Sequence, residues 1–168
     1  ECGAHPAAQS LVRGADDMRT YLVVIDDSPE ATLALRFAAR RAARTKGHVI
    51  VLTIIPPTDF LAFGGVQATI EAEAREHAEE LVAAGADAVA SEAGITPTIM
   101  VQQGQPADVV HALLDEHPEV SALVLGAAAS GPPGPLVAHF TGVDCGTLPC
   151  PVMIVPGGID LARLEALS

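Results

Sequence analysis

The feature that most constrains this chain is a set of short apolar runs that do not alternate. Tyr21-Leu-Val-Val-Ile25, His48-Val-Ile-Val-Leu-Thr-Ile-Ile55, Val120–Leu125 and Pro151–Val155 are nearly continuous in apolar and β-branched residues. A strand with one face in water reads apolar-polar-apolar, whereas a run with no polar face must be covered on both sides. Thr96–Gln102 reads as a further strand. The intervening segments are helical. After Asp26-Asp27, Ser28 is a good N-cap, Pro29 fits the first helical position and Glu30 suits the positive end of the helix dipole. That helix runs to about Lys46 with an apolar stripe at Ala31, Ala34, Leu35, Ala38 and Ala42, and Gly47 ends it. Val66–Gly94 is a long Ala- and Glu-rich helix whose glutamates (Glu71, Glu73, Glu76, Glu79, Glu80) form a solvated face. Pro106 opens a third helix that ends near His117-Pro118. Five strands alternating with helices predict one α/β domain, a mostly parallel, doubly wound sheet with helices on both faces.

Composition narrows the function classes. The chain has 168 residues, enough for one domain with a sizeable core, and few aromatics, which suits small helices packed closely on a sheet. Its formal charge of −12 repels nucleic acid and anionic membrane surfaces. It also opposes a polyphosphate unless a cation or local dipoles offset it. No apolar run approaches the ~18 residues needed to span a bilayer. Cys2, Cys145 and Cys150 make no CxxC pair, which reads as reduced cytoplasm. Residues 1–17 lack the apolar segment of a signal peptide and read as a flexible arm, with Met18 as an alternative start. Residues 18–158 form the domain and 159–168 a short helical tail that caps it.

Chemistry concentrates after the fourth strand. Gly126-Ala-Ala-Ala-Ser-Gly131-Pro-Pro-Gly134-Pro-Leu leaves the carboxyl end of that strand, where open parallel sheets bind ligands. Glycines there let backbone N–H groups approach an anion. Asp26-Asp27 allows a ribose or adenine contact, or a turn and helix cap with no ligand. A phosphoacceptor site would also need an Asp after strand three and a Lys after strand five, where Gln102-Gln103-Gly104 and Pro156-Gly157-Gly158 stand. Five of the nine basic residues (Arg36, Arg40, Arg41, Arg44, Lys46) lie on the first helix, toward the edge opposite the crevice, and complement its C-terminal dipole. Among His5, His48, His77, His111, His117 and His139 no HxxxH or HExxH pair occurs, so no metal site is expected. His139 is the histidine near the glycine loop, within reach of a phosphate there. No nucleophile elbow or nucleophile–base pair is present, so no catalytic residues are assigned. Cys150, between two prolines, reads as a buried inert thiol, and Cys145, in a Gly-flanked loop, as the more oxidisable one. Phe60 and Phe63 fall in a loop over Thr58–Gly65.

Taken together, Val24-Ile25-Asp26-Asp27-Ser28, Gly104-Gln105-Pro106-Ala107, Leu125-Gly126, Gly134-Pro135-Leu136 and Pro149-Cys150-Pro151-Val152-Met153-Ile154-Val155 resemble the universal stress protein family, in order, over Arg19 to about Gly157. The resemblance implies a five-stranded sheet of order 3-2-1-4-5 and a homodimer formed through the last strand. Nucleotide-binding members carry G-x2-G-x9-G-[S/T] after strand four. Here the pattern fails from either start. From Gly126 its later positions hold Ala129, His139 and Phe140, and from Gly131 they hold Gly134, Asp144 and Cys145. By the resemblance, Asp26 corresponds to the residue at the adenosine end and Gly126 to the first loop glycine. Asp26, Gly126, Gly131, Gly134 and Gly142 are therefore the candidate nucleotide contacts. Two functions follow: a dimeric stress-response module working through protein contacts with a degenerate adenine-nucleotide crevice, or a switch binding ATP or another adenine nucleotide, with Mg2+, through a variant loop and with slow hydrolysis.

Overall fold

The computed structural model describes residues 18–57 and 64–168. The expected arm over 1–17, and Phe60 and Phe63, lie outside the described residues. The chain runs β1 (Thr20–Val24), α1 (Pro29–Arg44), β2 (His48–Ile55), α2 (Gly64–Ala93), β3 (Thr98–Gln103), α3 (Pro106–Glu116), β4 (Val120–Ala127), α4 (Pro135–Thr141), β5 (Val152–Pro156) and α5 (Leu161–Leu167). Every pairing is parallel, and the strand order is β3-β2-β1-β4-β5. This is the doubly wound sheet expected. The second helix begins at Gly64, two residues before the expected start.

The lack of alternation in the central strands has the physical cause inferred from sequence. Tyr21, Val23 and Ile25 point to one side of β1 and join a core with α1, α2 and α5; Leu22 points to the other and joins Val110, Leu113 and Leu114 of α3 and Val137 and Phe140 of α4. The register places Leu22 opposite both Ile50 and Leu123, so a continuous apolar row crosses the sheet. Each fully buried aliphatic side chain contributes roughly 1.5–3 kcal/mol relative to an exposed one.

Local signals set the helix ends. The Ser28 hydroxyl accepts the Ala31 N–H at 3.3 Å, and Pro29 occupies the first turn. At the other end of α1, Lys46 takes the left-handed conformation (φ 50°), and the terminating Gly47 instead lies against the Arg19 carbonyl, 2.0 Å from where its Cβ would sit. The basic residues of α1 divide into two groups. Arg41 and Arg44 lie in the last turn, as dipole complementation requires. Arg36 and Arg40 reach sideways to Glu92 of α2, and Arg40 also to Glu165 of α5 at 2.9 Å. Those two arginines therefore clamp three helices of one face together. In the C-terminal tail Leu164 is fully buried against that face, and Asp160 caps α5 by accepting the Arg163 N–H at 2.8 Å. Among the described residues no helix is long and apolar enough to cross a membrane.

Candidate functional site

β1 and β4 are neighbours whose following helices cover opposite faces, α1 on one and α4 on the other. Chains that part this way leave a crevice at the carboxyl edge, and α/β sheets bind ligands there. Here the crevice is a cavity of about 80 Å³ between Asp26, Ser28 and Glu30 on one side and Gly126, Pro133 and Gly134–Val137 on the other.

Asp26 is exposed at the end of β1 and takes part in the helix cap. Its Oδ1 accepts the Ser28 N–H at 2.9 Å and the Ser28 hydroxyl at 2.5 Å. The turn reading and the ligand reading are thus compatible: Oδ1 stabilises the turn, and the residue is at the same time exposed and part of the cavity lining.

Gly126 has a reason to be glycine that involves no ligand. A Cβ there would lie 2.4 Å from the Glu30 carbonyl oxygen, 2.5 Å from its carbon and 3.0 Å from the Ala31 nitrogen. The first turn of α1 therefore rests directly on the end of β4. The loop beyond it is open: Gly131 (φ 76°) and Gly134 (φ 109°) take conformations suited to glycine and have no neighbour within 4 Å of a Cβ. Gly134 lines the crevice, whereas Gly131 lies exposed outside the lining. Gly142 is the C-cap of α4, also away from the crevice. Of the five residues singled out in the sequence, the fold gathers Asp26, Gly126 and Gly134 into one cavity.

The charged groups of that cavity are of the sign that repels a phosphate. Its lining carries two carboxylates, Asp26 and Glu30, and no Lys or Arg. Pro132, Pro133 and Pro135 have no backbone N–H to offer an anion. Of the remaining loop amides, that of Ala128 is already donated to the Pro133 carbonyl at 3.2 Å. A second cavity of about 200 Å³ shares Asp26 and is walled by Thr53–Pro56 of the β2 end and Ala78 and Leu81 of α2. Asp27 and His77 also line it; the His77 Nε2–H donates to Asp27 Oδ2 at 2.8 Å, and that hydrogen bond, with the Asp27 charge, raises the imidazole above its ordinary value.

A second constellation escaped sequence reasoning. His111 of α3 and His139 of α4 both point at Asp144. A carboxylate only accepts, so each Nε2–H donates to Asp144 Oδ2, at 2.7 and 2.6 Å. The His111 hydrogen bond, then that of His139, holds the Asp144 carboxyl below its ordinary range. His139 is absent from the crevice lining. Residues 111 and 139 lie far apart in sequence, and only the packing of α3 on α4 joins them. The nearest signal in the sequence was His139-x4-Asp144.

Fold and crevice together define a doubly wound α/β module with a cavity at the point where the helices after β1 and β4 part to opposite faces. The chain belongs to the Universal stress protein family, whose model matches residues 18–156. No curated protein sequence matches it significantly. Among solved structures it is similar to universal stress protein UspA from Lactobacillus plantarum, at 19% identity and TM-score 0.66, covering 82% of this chain and 97% of that one. It is also similar to a universal stress protein solved in complex with cAMP (18% identity, TM-score 0.59, 83% of this chain and 97% of that one). A third is the universal stress protein from Archaeoglobus fulgidus in complex with dAMP (19% identity, TM-score 0.58, 82% and 96%). At these identities the likeness concerns the fold.

Proposed function

We propose that this protein is a non-enzymatic stress-response module that acts through protein contacts, as a homodimer, with a crevice that has lost the capacity to hold ATP. The observation that carries this reading is the crevice wall: Asp26 and Glu30 face a loop in which three residues are prolines and none is basic. A triphosphate placed there meets carboxylates where it needs N–H donors or cations. The dimer reading draws support from β5, an edge strand of the sheet with Ile154 partly exposed. An unpaired edge of this kind is a template for pairing with another strand. A cytoplasmic setting agrees with the free thiols of Cys145 and Cys150.

One observation favours a second reading. The cavity of about 200 Å³ beside Thr53–Pro56 has Ile54, Ile55, Ala78 and Leu81 in its wall and no residue of the glycine loop. Two relatives were solved with cAMP and dAMP, both monophosphates. An adenine mononucleotide held by its base against this cavity, with Asp26 at the ribose, needs few phosphate contacts.

Thermal unfolding with ATP and Mg2+, AMP, cAMP or buffer separates these readings. A ligand at about 100 times its dissociation constant adds ~2.7 kcal/mol, which in a domain of this size is about 5–10 °C. The protein-contact reading expects no shift with any nucleotide at millimolar concentration. A shift with AMP or cAMP but not ATP establishes the mononucleotide reading, and a shift with ATP and Mg2+ overturns both.

A further inference from the structure

The α3–α4 face carries a cluster that the crevice does not use. We infer that His111, His139 and Asp144 form a site for one divalent transition-metal ion of the zinc class, which clasps α3 to the C-terminal end of α4. The three ligand atoms, two imidazole Nε2 and one carboxylate Oδ2, all lie within 4.8 Å of one another. His139 and Asp144 meet at the end of α4, and His111 joins them from α3, a partner that no spacing within α4 would supply.

The chemistry of the donors selects the ion. Two imidazoles and a carboxylate suit Zn2+ and its neighbours among the borderline metals, and three protein ligands with a water in the fourth position is the open form of a zinc site. Mg2+ prefers an all-oxygen octahedron and is a poor match. Zinc bonds of about 2.0–2.2 Å set tetrahedral ligands roughly 3.3 Å apart. Each His–Asp contact, now 2.7 or 2.6 Å, therefore opens by about 0.6–0.7 Å to admit the ion. A neutral imidazole binding through Nε2 transfers that proton to Nδ1 by way of solvent, and a protonated one releases it.

The surroundings hold the ligands in place. Phe140, fully buried, meets the His111 and His139 rings edge-on at 5.3 and 5.1 Å between centroids. The Asp144 carbonyl accepts both the backbone N–H and the hydroxyl of Thr147, at 3.1 and 3.2 Å, which closes the loop behind the carboxylate. The three side chains are 35%, 35% and 25% exposed, so the cluster is open to solvent and to an entering ion.

The experiment is a ZnCl2 titration of the full chain, stripped with a chelator, in competition with a chromophoric indicator. His139→Gln and Asp144→Asn are run beside the wild type, each checked for folding by circular dichroism. The expected result is one equivalent bound, with affinity reduced at least about tenfold in each variant. Zn2+, but not Mg2+, raises the unfolding temperature of the wild type alone. Co2+ in the same site gives visible d–d bands without a thiolate charge-transfer band, because Cys145 and Cys150 are not ligands. Equal Zn2+ affinity in wild type and variants, no binding at all, or a thiolate band that persists in Asp144→Asn overturns the inference. If His139→Gln fails to fold, Asp144→Asn carries the comparison, since it keeps the size of the side chain and an accepting oxygen.

Discussion

Replacing Gly126 by alanine separates a glycine kept for the fold from one kept for a ligand. The added Cβ would stand 2.4 and 2.5 Å from the Glu30 carbonyl oxygen and carbon. Carbon contacts settle at about 3.5–4.0 Å, so the two segments must part by about 1 Å. Neither yields easily. The first turn of α1 is pinned by the Ser28 cap, and β4 is paired on both sides by β1 and β5. Overpacking costs about 1–3 kcal/mol and more where backbone meets backbone, so about 3 kcal/mol is expected here. At about 2–4 °C per kcal/mol that lowers the ligand-free melting temperature by roughly 6–12 °C. Gly131→Ala is the control. It meets no atom within 4 Å, but its φ of 76° costs a non-glycine residue about 1–2 kcal/mol. The assay is thermal and urea unfolding followed by circular dichroism, without nucleotide. A glycine retained only to let a phosphate approach would leave the ligand-free Gly126→Ala protein as stable as the wild type. A melting temperature within about 2 °C of wild type would refute the packing account.

Two further outcomes follow from the core and the clamp. Tyr21 is 1% exposed and its hydroxyl has no hydrogen-bond partner among the described residues; Tyr21→Phe removes an unpaired buried polar group and should stabilise by about 1 kcal/mol in urea unfolding, a loss of stability counting against the reasoning. Glu92 is drawn two ways: burial favours its neutral form, and the Arg40 and Arg36 guanidiniums outweigh that and hold it below its ordinary value of 4.5. A depressed folded value means that the clamp's contribution is present above about pH 4.5 and fades as pH falls through the folded value. Glu92→Gln should therefore cost about 1 kcal/mol at neutral pH and flatten the acid limb of a stability–pH profile, and a variant parallel to wild type throughout would exclude the clamp.

The sheet was legible because its cause is local. Tyr21–Ile25 and His48–Ile55 lack a polar face, and a strand without one belongs in the middle of a covered sheet. The Ser28-Pro29-Glu30 start of α1 was legible for the same reason, since cap and dipole act within one turn. Less legible was why a given glycine is glycine. Gly47 reads as a helix terminator, yet the left-handed residue is Lys46 and Gly47 gives room to the Arg19 carbonyl. Gly126 reads as a phosphate contact, yet the Glu30 backbone fills the space its side chain would need. Both depend on segments distant in sequence that touch only after folding. The basic helix α1 shows the same limit: its charges suggested a dipole effect, but the partners of Arg36 and Arg40 sit on α2 and α5, which no spacing within α1 encodes. Of the His111–His139–Asp144 cluster only the His139–Asp144 pair is local in sequence; His111 joins it through the packing of α3 on α4, which no spacing encodes.

One charge distribution bears on both proposals, with opposite sign. At roughly 5 Å and an effective dielectric near 20, a carboxylate opposes each phosphate charge by about 3 kcal/mol. Asp26 and Glu30 therefore weigh heavily against the several charges of ATP and little against the neutral base and ribose. The net charge of −12 reinforces this at longer range, within the screening length of the solvent. At the α3–α4 face the same sign attracts. Asp144 is an anion whose two imidazole partners can become ligands once their Nε2 protons leave, and a cation approaching it meets a favourable field. The crevice wall is built from Asp26, Glu30 and the proline-rich loop, and the cluster from His111, His139 and Asp144. With no residue in common, they can be tested independently: a chain that answers ATP can still bind zinc, and a chain deaf to zinc can still refuse ATP.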